Sequence, residues 1–509
     1  CRLVHWAGML GSRVLLSSAT LPPALVQGLF RAYCAGRAEF QRYRGRPGRR
    51  LDVCCAWFDE FGVHDTRPGA DHQGTVFAAH HEAFVTKRVA RLAAAKPVRR
   101  RADLVDLDFP LPTSGDRAQR LTSIARQLAG LVMHEAEKLH AWHGEVDPLS
   151  GKRVSFGLVR MAHIDPLFEV AKALFAGEAP AGFRIHLCPY HSRHPLLIRA
   201  RIEQVLDAAL KRHQPESVFH LPEVRAALDG SEETDHLFIV LATSVAEVGR
   251  DHSYHWAIVE PSSMRSLVQL AGRVRRHQEF DCPEEHPNIL CLDTNLKSLR
   301  QGGQGVAFCH PGFESEAFRL RTHSLRKLLR PEEWPRIDAR ARIRAHPQPD
   351  PANRLVDLEH ARLADVMLGA VDGELQREVP APWWWTTPVH LTGHMQACTP
   401  FRADPLGHQT FYLQPDEDCT RTALILLADN GQEAEMETSL LTRLADPDVL
   451  VSQRIRPWAV PDYLAELQAL AEAFGLAPED CARRFGTVDL PGRDVRRWRY
   501  HPTLGFSRA

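Results

Sequence analysis

Apolar and polar residues between positions 150 and 300 alternate in blocks that predict strands and helices in turn. Strands are expected at 156–161, 183–188, 237–242, 255–259 and 288–292. Helical periodicity lies between and after them, at 166–175, 195–212 and about 263–276. Continuous apolar strands that alternate with helices are typical of a parallel sheet covered on both faces. We therefore expect an α/β fold with a parallel sheet in this part of the chain.

The pattern divides the 509 residues into four regions, in keeping with about three domains at typical sizes. Residues 1–110 carry a strand-like run at 12–18 and are expected to form part of a first α/β lobe. Residues 111–300 begin with a long amphipathic helix and form a complete second lobe. Residues 301–350 are proline-rich with weak periodicity, which indicates a linker, and residues 351–509 form a small C-terminal accessory domain.

Composition narrows the class of protein without deciding its function. Lys+Arg and Asp+Glu number 63 each, so the net charge is zero, which argues against a binder driven by overall positive charge. A local basic stripe is nevertheless sufficient for nucleic acid. The eleven cysteines include no C-x-x-C pair, so we expect neither a metal site nor a disulfide framework, and a reducing cytosol. No apolar stretch approaches a transmembrane helix and no signal peptide is visible, so no membrane partner is expected.

Two short segments carry the candidate chemistry. The first follows the predicted strand at 237–242 and contains Thr243, Glu247, Gly249 and Asp251. The second has the spacing Q-x-x-G-R-x-x-R and contains Gln269, Gly272, Arg273 and Arg276. Positions i, i+4 and i+7 share one helix face, so Gln269, Arg273 and Arg276 are expected to point the same way. Two guanidiniums on a rigid helix suit a polyphosphate, although an isolated R-x-x-R also occurs on solvated basic helices.

These segments resemble motifs V and VI of a superfamily-two helicase. Ser18, Ala19 and Thr20, which follow the apolar run at 14–16, resemble motif III. Longer strings narrow the resemblance: HHEAFV at 80–85, SFGLVRMAHIDP at 155–166, PYHSRHP at 189–195 and AEVGRDHSYHWAIVEPSSMRSLVQLAGRVRRHQ at 246–278. Together they are similar to the helicase–nuclease effector of type I CRISPR systems, most closely its I-F branch. The resemblance implies RecA-like helicase lobes, the first partial and the second complete.

The resemblance also implies roles for residues on the nucleotide side. Arg273 and Arg276 resemble arginine fingers that reach the γ-phosphate of ATP, and Gln269 would position the same group. Glu247, Gly249, Asp251 and Gly272 are expected near the nucleotide, whereas Arg275 is interpreted as a surface charge. Ser18, Ala19 and Thr20 would couple the nucleotide state to the grip on DNA.

Other residues are expected to face DNA. Thr243, Arg160, His191, Ser192 and Arg193 all follow predicted strand ends. Ligands gather at the carboxyl ends of parallel strands, and Arg and Ser donors bind nucleic-acid phosphates without regard to sequence. Two alternatives stay open: Thr243 as a plain helix N-cap, and a 190–193 loop whose polar groups are satisfied within the protein.

The sequence lacks the phosphate-binding motif G-x-x-x-x-G-K-[ST], because its only Gly-Lys pair, Gly151-Lys152, is followed by Arg153. Asp59-Glu60 comes after the motif III candidate, so it does not fit the magnesium-binding motif II, which must precede motif III. Since residue 1 is Cys and motif III is reached by residue 20, we expect a fragment of a longer protein. The residues that hold ATP and Mg²⁺, and the nuclease, would then lie upstream.

The resemblance favours part of an ATP-dependent DNA helicase that unwinds and degrades foreign DNA in CRISPR interference. Its expected partners are single-stranded DNA, an RNA-guided surveillance complex and the CRISPR adaptation integrase. The fragment alone should hydrolyse ATP poorly. The alternatives are a non-catalytic module that binds single-stranded DNA or the surveillance complex, and a superfamily-two helicase of repair or RNA metabolism.

Overall fold

The computed structural model describes residues 1–48, 51–66, 74–110, 116–247, 249–369, 380–386, 407–428, 430–437, 440–459, 461–492 and 497–509. Numbered in chain order, the helices in these ranges are α1 (Arg2–Met9), α2 (Pro23–Arg44), α3 (Thr75–Ala94), α4 (Arg117–His143), α5 (Ile164–Ala176), α6 (Leu196–Leu210), α7 (Pro222–Asp229), α8 (Met264–Ala271), α9 (Leu296–Arg300), α10 (Leu325–Leu328), α11 (Arg340–Ile343), α12 (Leu355–Leu368), α13 (Trp383–Thr386), α14 (Asp446–Val449), α15 (Tyr463–Phe474) and α16 (Pro478–Phe485). Short 3₁₀ turns occupy Pro215–His220 and Ser244–Ala246. Among these helices, none combines the length and apolar character needed to cross a bilayer.

The strands in the described ranges are β1 (Cys55–Asp59), β2 (Gly62–Thr66), β3 (Ala102–Val105), β4 (Glu145–Val146), β5 (Arg153–Arg160), β6 (Phe183–Tyr190), β7 (Asp235–Ala242), β8 (Trp256–Val259), β9 (Ile289–Leu292), β10 (His408–Pro415), β11 (Thr422–Leu427), β12 (Glu433–Glu435), β13 (Leu441–Arg443), β14 (Ile455–Pro457), β15 (Thr487–Pro491), β16 (Trp498–His501) and β17 (Gly505–Arg508). The largest sheet has eight strands, in the order β14-β6-β7-β5-β8-β9-β3, with β4 paired to β5. All its pairs are parallel except β4–β5. The prediction of an α/β fold with a large parallel sheet is confirmed.

Alternate residues of the central strands enter two different cores. Phe156, Leu158, Phe238 and Val240 pack with α6 and α8 on one face of the sheet. Their neighbours in sequence pack with α4 and α5 on the other face: Val159, Leu237, Ile239 and Leu241. Successive strand residues point to opposite faces, so a sheet buried on both sides needs apolar residues at every position. That requirement explains why these strands read as unbroken apolar runs.

Two strands of the large sheet come from outside the region predicted to form it. β3, from the predicted first lobe, pairs with β9, with Ala102 opposite Ile289. β14, from the predicted accessory domain, pairs with β6, with Ile455 opposite Ile185. The division of the chain at 110 and 350 therefore remains a prediction, and the hydrogen bonding of the sheet crosses it at both edges.

The expected strand at 12–18 is wrong, because these residues adopt no regular structure and are exposed. Leu15 is 82% exposed, and no strand of the described residues lies beside this run to complete its hydrogen bonds. Ser18 and Ala19 are exposed in turn, and Thr20 is buried just before α2. A nearby hairpin of β1 and β2 turns at Asp59, whose carboxylate accepts hydrogen bonds from the amides of Phe61 and Gly62.

The C-terminal region carries two further sheets and closes over the large one. β12, β11, β10 and β15 form an antiparallel sheet. β13, β16 and β17 form a mixed sheet, in which β13 is parallel to β16 and β17 is antiparallel to it. The β16–β17 hairpin reaches the end of β6, where the amide of Phe506 donates to the carbonyl of Arg193. The C-terminal region thus forms one wall of the space outside the carboxyl ends of the sheet.

Candidate functional site

The carboxyl ends of β5, β6 and β7 open on a cavity of 960 Å³. Residues that directly follow each strand line it: Ala162–Pro166 after β5, Ser192 and Arg193 after β6, and Thr243 to Val245 after β7. The prediction placed Ser192, Arg193 and Thr243 at strand ends facing one ligand. The fold brings these three residues to a common wall, because parallel strands end at the same edge of the sheet.

The lining of this cavity is strongly positive. Five cations are among its lining residues: Arg120, Arg193, Lys297, Arg300 and Arg508. We call this cavity, with all its lining residues, the basic groove. Asp165 is the acidic residue of the lining and pairs with Arg193. Burial alone would raise the pKa of Asp165, but the Arg193 guanidinium outweighs it and holds that pKa below its usual value. The groove therefore keeps a net positive charge that suits a phosphate backbone.

Arg160 does not face the groove, which corrects its prediction as a DNA contact. Its side chain is fully buried, and its Nε donates to Glu247 Oε1 at 2.7 Å. One terminal nitrogen donates to the Glu260 carbonyl at 2.8 Å, and the other donates to Ser262 Oγ at 2.8 Å and Ser266 Oγ at 2.9 Å. A buried guanidinium needs such partners, and β5 delivers this one to the interior.

His191 is also buried, so its predicted contact with DNA is wrong. Its Nε2 lies 2.8 Å from the Leu504 carbonyl oxygen, and its Nδ1 accepts from the amide of Arg193 at 3.1 Å. Burial, followed by the nearby charge of His194, lowers the pKa of His191 well below its usual value. A neutral His191 packed under the C-terminal hairpin shapes the loop that presents Ser192 and Arg193 to the groove.

Glu247, which was expected near the nucleotide, is buried and its side chain points into the protein interior. Its carboxylate accepts from Arg160 and, through Oε2, from Ser266 Oγ at 2.8 Å. Its backbone carbonyl accepts from Arg273, with Nη2 at 2.9 Å and Nε at 3.3 Å. One residue therefore joins the end of β5 to the predicted finger Arg273.

The helix predicted over 263–276 ends early. α8 stops at Ala271, with Gly272 as its C-cap, so Gln269 lies on the helix while Arg273 and Arg276 lie beyond it. The amide of Tyr254 donates to the Arg273 carbonyl, and the amide of Arg275 donates to the Tyr254 carbonyl, both at 2.8 Å. This parallel bridge with the segment before β8 replaces the helical bonds, so the shared helix face predicted for the three side chains is wrong. Gly272 acts as a helix end.

Arg273 and Arg276 nevertheless lie close together. Arg276 is exposed, and its Nε donates to Asp251 Oδ1 at 2.7 Å. Burial, then the charge of Arg276, lowers the pKa of the half-buried Arg273. Burial would raise the pKa of Asp251, but hydrogen bonds from Arg276 and His213 lower it, so Asp251 stays ionised. Thr243 thus lines the basic groove, and Asp251, eight residues later, lies beside the two cations. Gly249, which precedes Asp251, is exposed with φ 74°.

Arg275 is a buried structural residue, which corrects its interpretation as a surface charge. It is 5% exposed with φ 47°, and its Nη1 donates to Glu145 Oε1 at 2.6 Å and Gln278 Oε1 at 2.8 Å. Arg212 and His255 contact the same carboxylate. Although burial raises the pKa of Glu145, His255 and the two arginines together lower it strongly. Sequence reasoning missed Glu145, because its partners come from three separate segments, around 212, 255 and 275–278.

The residues of the motif III candidate, Ser18, Ala19 and Thr20, are not among those that line the basic groove. Within this segment the amide of Thr20 donates to Ser18 Oγ at 3.2 Å. Its coupling role stays a prediction.

Comparison with known proteins gives two matching family models. One is described as CRISPR-associated nuclease/helicase Cas3, C-terminal, and matches residues 153–279. The other is described as CRISPR-associated Cas3 subtype I-F/YPEST-like, C-terminal domain, and matches residues 413–508. The first model contains both the 243–251 loop and the 269–276 segment.

Two curated relatives match along the whole chain. The CRISPR-associated nuclease/helicase Cas3 subtype I-F/YPEST of Pseudomonas aeruginosa (strain UCBPP-PA14) is 46% identical over 510 residues, which is 100% of this chain and 45% of the relative. The protein of the same name from Pectobacterium atrosepticum is 41% identical, with the same coverage. This chain therefore spans about half the length of either relative. Among solved structures, T. fusca Cas3 with AMPPNP is 20% identical, with a TM-score of 0.34 over 58% of this chain and 27% of that one.

Proposed function

The chain belongs to the family of CRISPR-associated Cas3 nuclease/helicases of subtype I-F/YPEST, and we propose that it forms the DNA-gripping second lobe of an ATP-dependent superfamily-two helicase. The whole protein would unwind and degrade foreign DNA. The observation that carries the proposal is the basic groove at the carboxyl edge of the sheet, joined by one loop to the cations Arg273 and Arg276.

The groove would hold the backbone of single-stranded DNA. Thr243 and Ser192 offer hydroxyls, and Arg193, Lys297 and Arg300 offer positive charge along the same cavity. Contacts of this kind neutralise phosphates and do not read base sequence, as a motor that travels along any DNA requires. Hydrogen bonds link Arg160 to Glu247 and Glu247 to Arg273. Through this link, a movement of the strand ends beside the groove would also move Arg273.

Arg273 and Arg276 would stabilise negative charge on the phosphates of ATP. Two guanidiniums beside each other suit a polyphosphate. The exposed Arg276 side chain is held by the half-buried Asp251 carboxylate and by a longer contact to the Gly272 carbonyl, so it can turn toward a phosphate. ATP and Mg²⁺ would be held mainly by residues outside this chain, because the sequence contains no G-x-x-x-x-G-K-[ST] loop. We further propose an RNA-guided surveillance complex and the adaptation integrase as partners of the whole protein.

Binding of a fluorescent, mixed-sequence single-stranded oligonucleotide to this chain tests the groove directly. The variant Lys297→Gln/Arg300→Gln should bind more weakly, and its log–log salt slope should fall by about 0.7 for each phosphate that the protein no longer neutralises. Arg126→Gln is the control, compared per charge removed, because Arg126 is exposed on α4 and lies outside the groove.

Three outcomes would contradict the groove as the DNA site, the proposal as a whole, or the motor activity alone. Equal losses in the groove variant and in Arg126→Gln would overturn the groove as the DNA site. Absence of DNA binding by the wild-type chain would overturn the proposal as a whole. DNA binding without DNA-stimulated ATPase, measured on the protein with its upstream coding region restored, would leave a binding module and remove the motor.

A further inference from the structure

Three side chains of types that can bind a metal lie together beside Arg276. His213 follows α6, Asp251 ends the loop at 243–251, and His277 follows Arg276. His213 Nε2 lies 3.1 Å from Asp251 Oδ2, and His277 Nε2 lies 3.2 Å from Asp251 Oδ1. The two imidazole rings are tilted by 36° relative to each other, with centroids 3.9 Å apart. We call these residues the His213–Asp251–His277 cluster; their ligand atoms all lie within 4.8 Å of one another.

This spacing fits the coordination shell of a small divalent ion. Zinc binds imidazole nitrogen and carboxylate oxygen at about 2.0–2.2 Å, so neighbouring ligands of a tetrahedral site are about 3.3 Å apart. The two nitrogen–oxygen separations in the cluster, 3.1 and 3.2 Å, are close to that value. The side chain of His213 is 64% exposed, which leaves one side of the cluster open to water as a fourth ligand.

The ligand types select the class of metal. Imidazole suits zinc, copper and nickel, whereas Mg²⁺ and Ca²⁺ prefer shells made of oxygen. A ligand set of two histidines and one carboxylate therefore disfavours Mg²⁺, the ion that accompanies ATP. Because the three residues come from separate segments, an ion held by all three would also fasten the end of α6 to the 243–251 loop and to the segment after α8.

Arg276 is the competitor for this ion. Its Nε donates to Asp251 Oδ1 at 2.7 Å, the same oxygen that His277 approaches. A cation bound by Asp251 would weaken this ion pair, and the guanidinium charge would in turn oppose the metal. We propose that the His213–Asp251–His277 cluster binds a divalent transition-metal ion of the zinc class, in competition with Arg276 for Asp251.

The test is Zn²⁺ binding to this chain after removal of any histidine tag, measured by competition with a chromophoric chelator. His213→Ala and His277→Ala should each weaken the strongest site by at least about tenfold, since even residues that only support a ligand contribute about 10–100-fold. His220→Ala is the matched control, because His220 is exposed seven residues beyond His213 and outside the cluster.

A second variant should change the affinity for Zn²⁺ in the opposite direction. Arg276→Ala removes the competitor and should tighten Zn²⁺ binding by about twofold to fivefold, the size of an exposed ion pair. A folding defect does not produce this result, because unfolding would scatter the ligands. The proposal is overturned if His213→Ala and His277→Ala bind Zn²⁺ like His220→Ala, or if Arg276→Ala leaves the affinity unchanged. Neither readout requires DNA or ATP, so it is independent of the proposed helicase role.

Discussion

Arg160 and Glu247 form an ion pair from which water is excluded. The side chains are 0% and 4% exposed, and Ser262 and Ser266 complete the hydrogen bonding of the guanidinium. Removal of one member would leave the other charged and unpaired in the interior. We expect Arg160→Leu to lower the free energy of unfolding by about 3–5 kcal/mol, measured by urea denaturation of this chain.

Arg319→Leu is the control for this prediction. Arg319 pairs with Glu316, but the two side chains are 51% and 82% exposed. Exposed pairs contribute about 0–1 kcal/mol, so this variant should unfold almost like the wild type. If Arg160→Leu were as stable as Arg319→Leu, the buried network would have no structural role.

Arg273 and Arg276 are predicted to act in ATP hydrolysis by the protein with its upstream coding region restored. Loss of an arginine finger lowers the rate by about 10³–10⁵, so Arg273→Ala/Arg276→Ala should abolish measurable DNA-stimulated ATPase. Arg319→Ala should retain the full rate. If the double variant kept the wild-type rate while folded, the finger role would be excluded for both residues.

At the scale of elements, the sequence was most informative where local pattern and tertiary packing agree. The strands expected at 237–242 and 255–259 correspond to β7 and β8, because a strand buried on both faces must be apolar throughout. The helix that was predicted to extend to residue 276 ends at Ala271. Beyond it, the backbone of Arg273 and Arg275 forms hydrogen bonds with Tyr254, which is remote in sequence, in place of helical hydrogen bonds. Periodicity reports only local preference, so it did not reveal that bridge.

In the candidate site, too, the features that depend on local pattern were predicted, and those that depend on tertiary packing were not. Ser192, Arg193 and Thr243 were placed correctly at strand ends, because the order of strands and loops is visible in the pattern. The burial of Arg160 and His191 was not visible, since it depends on Glu247 and on the C-terminal hairpin around Leu504. The sequence around a charged residue at a strand end does not show whether its partner is a phosphate or a buried carboxylate.

Two glycines in different elements are expected to respond oppositely to the same added methyl group. A Cβ on Gly157 of β5 would lie 2.2 Å from the Trp256 ring, whereas one on Gly130 of α4 would meet nothing within 4 Å. Gly157→Ala should destabilise the chain by about 1–3 kcal/mol through overpacking. Gly130→Ala should stabilise it by about 0.5–1 kcal/mol, because Ala is the better helix former. Thermal unfolding measures both shifts, and shifts of the same sign would contradict the packing of β5 against β8.

At the scale of the whole molecule, buried neutral histidines predict sensitivity to acid. Burial lowers the pKa of His140 and His236 to about 4 and that of His186 to about 3. The unfolded chain takes up these protons near pH 6.5, while the folded chain resists until near pH 4. Stability is therefore complete above pH 6.5 and is lost as the pH falls toward 4, by up to about 3 kcal/mol for His140 alone.

The pH dependence of urea denaturation between pH 7 and 4.5 measures this effect. His140→Gln keeps a hydrogen-bonding side chain near Ser155 and Asp235, and it should reduce the slope of stability against pH by up to one proton. His220→Gln, a change at an exposed histidine, is the control variant. A wild-type chain equally stable at pH 7 and 4.5 would contradict the prediction.

The pairing of β14 with β6 has a consequence for synthesis on the ribosome. β6 is complete long before Ile455–Pro457 is translated, so in the nascent chain its outer edge has no partner. Domains fold from the N-terminus as they emerge, and an unpaired strand edge invites pairing with other chains. Emergence of Ile455–Pro457 from the ribosome therefore sets the moment at which this sheet edge is closed, and until then the growing polypeptide is a natural client for a chaperone.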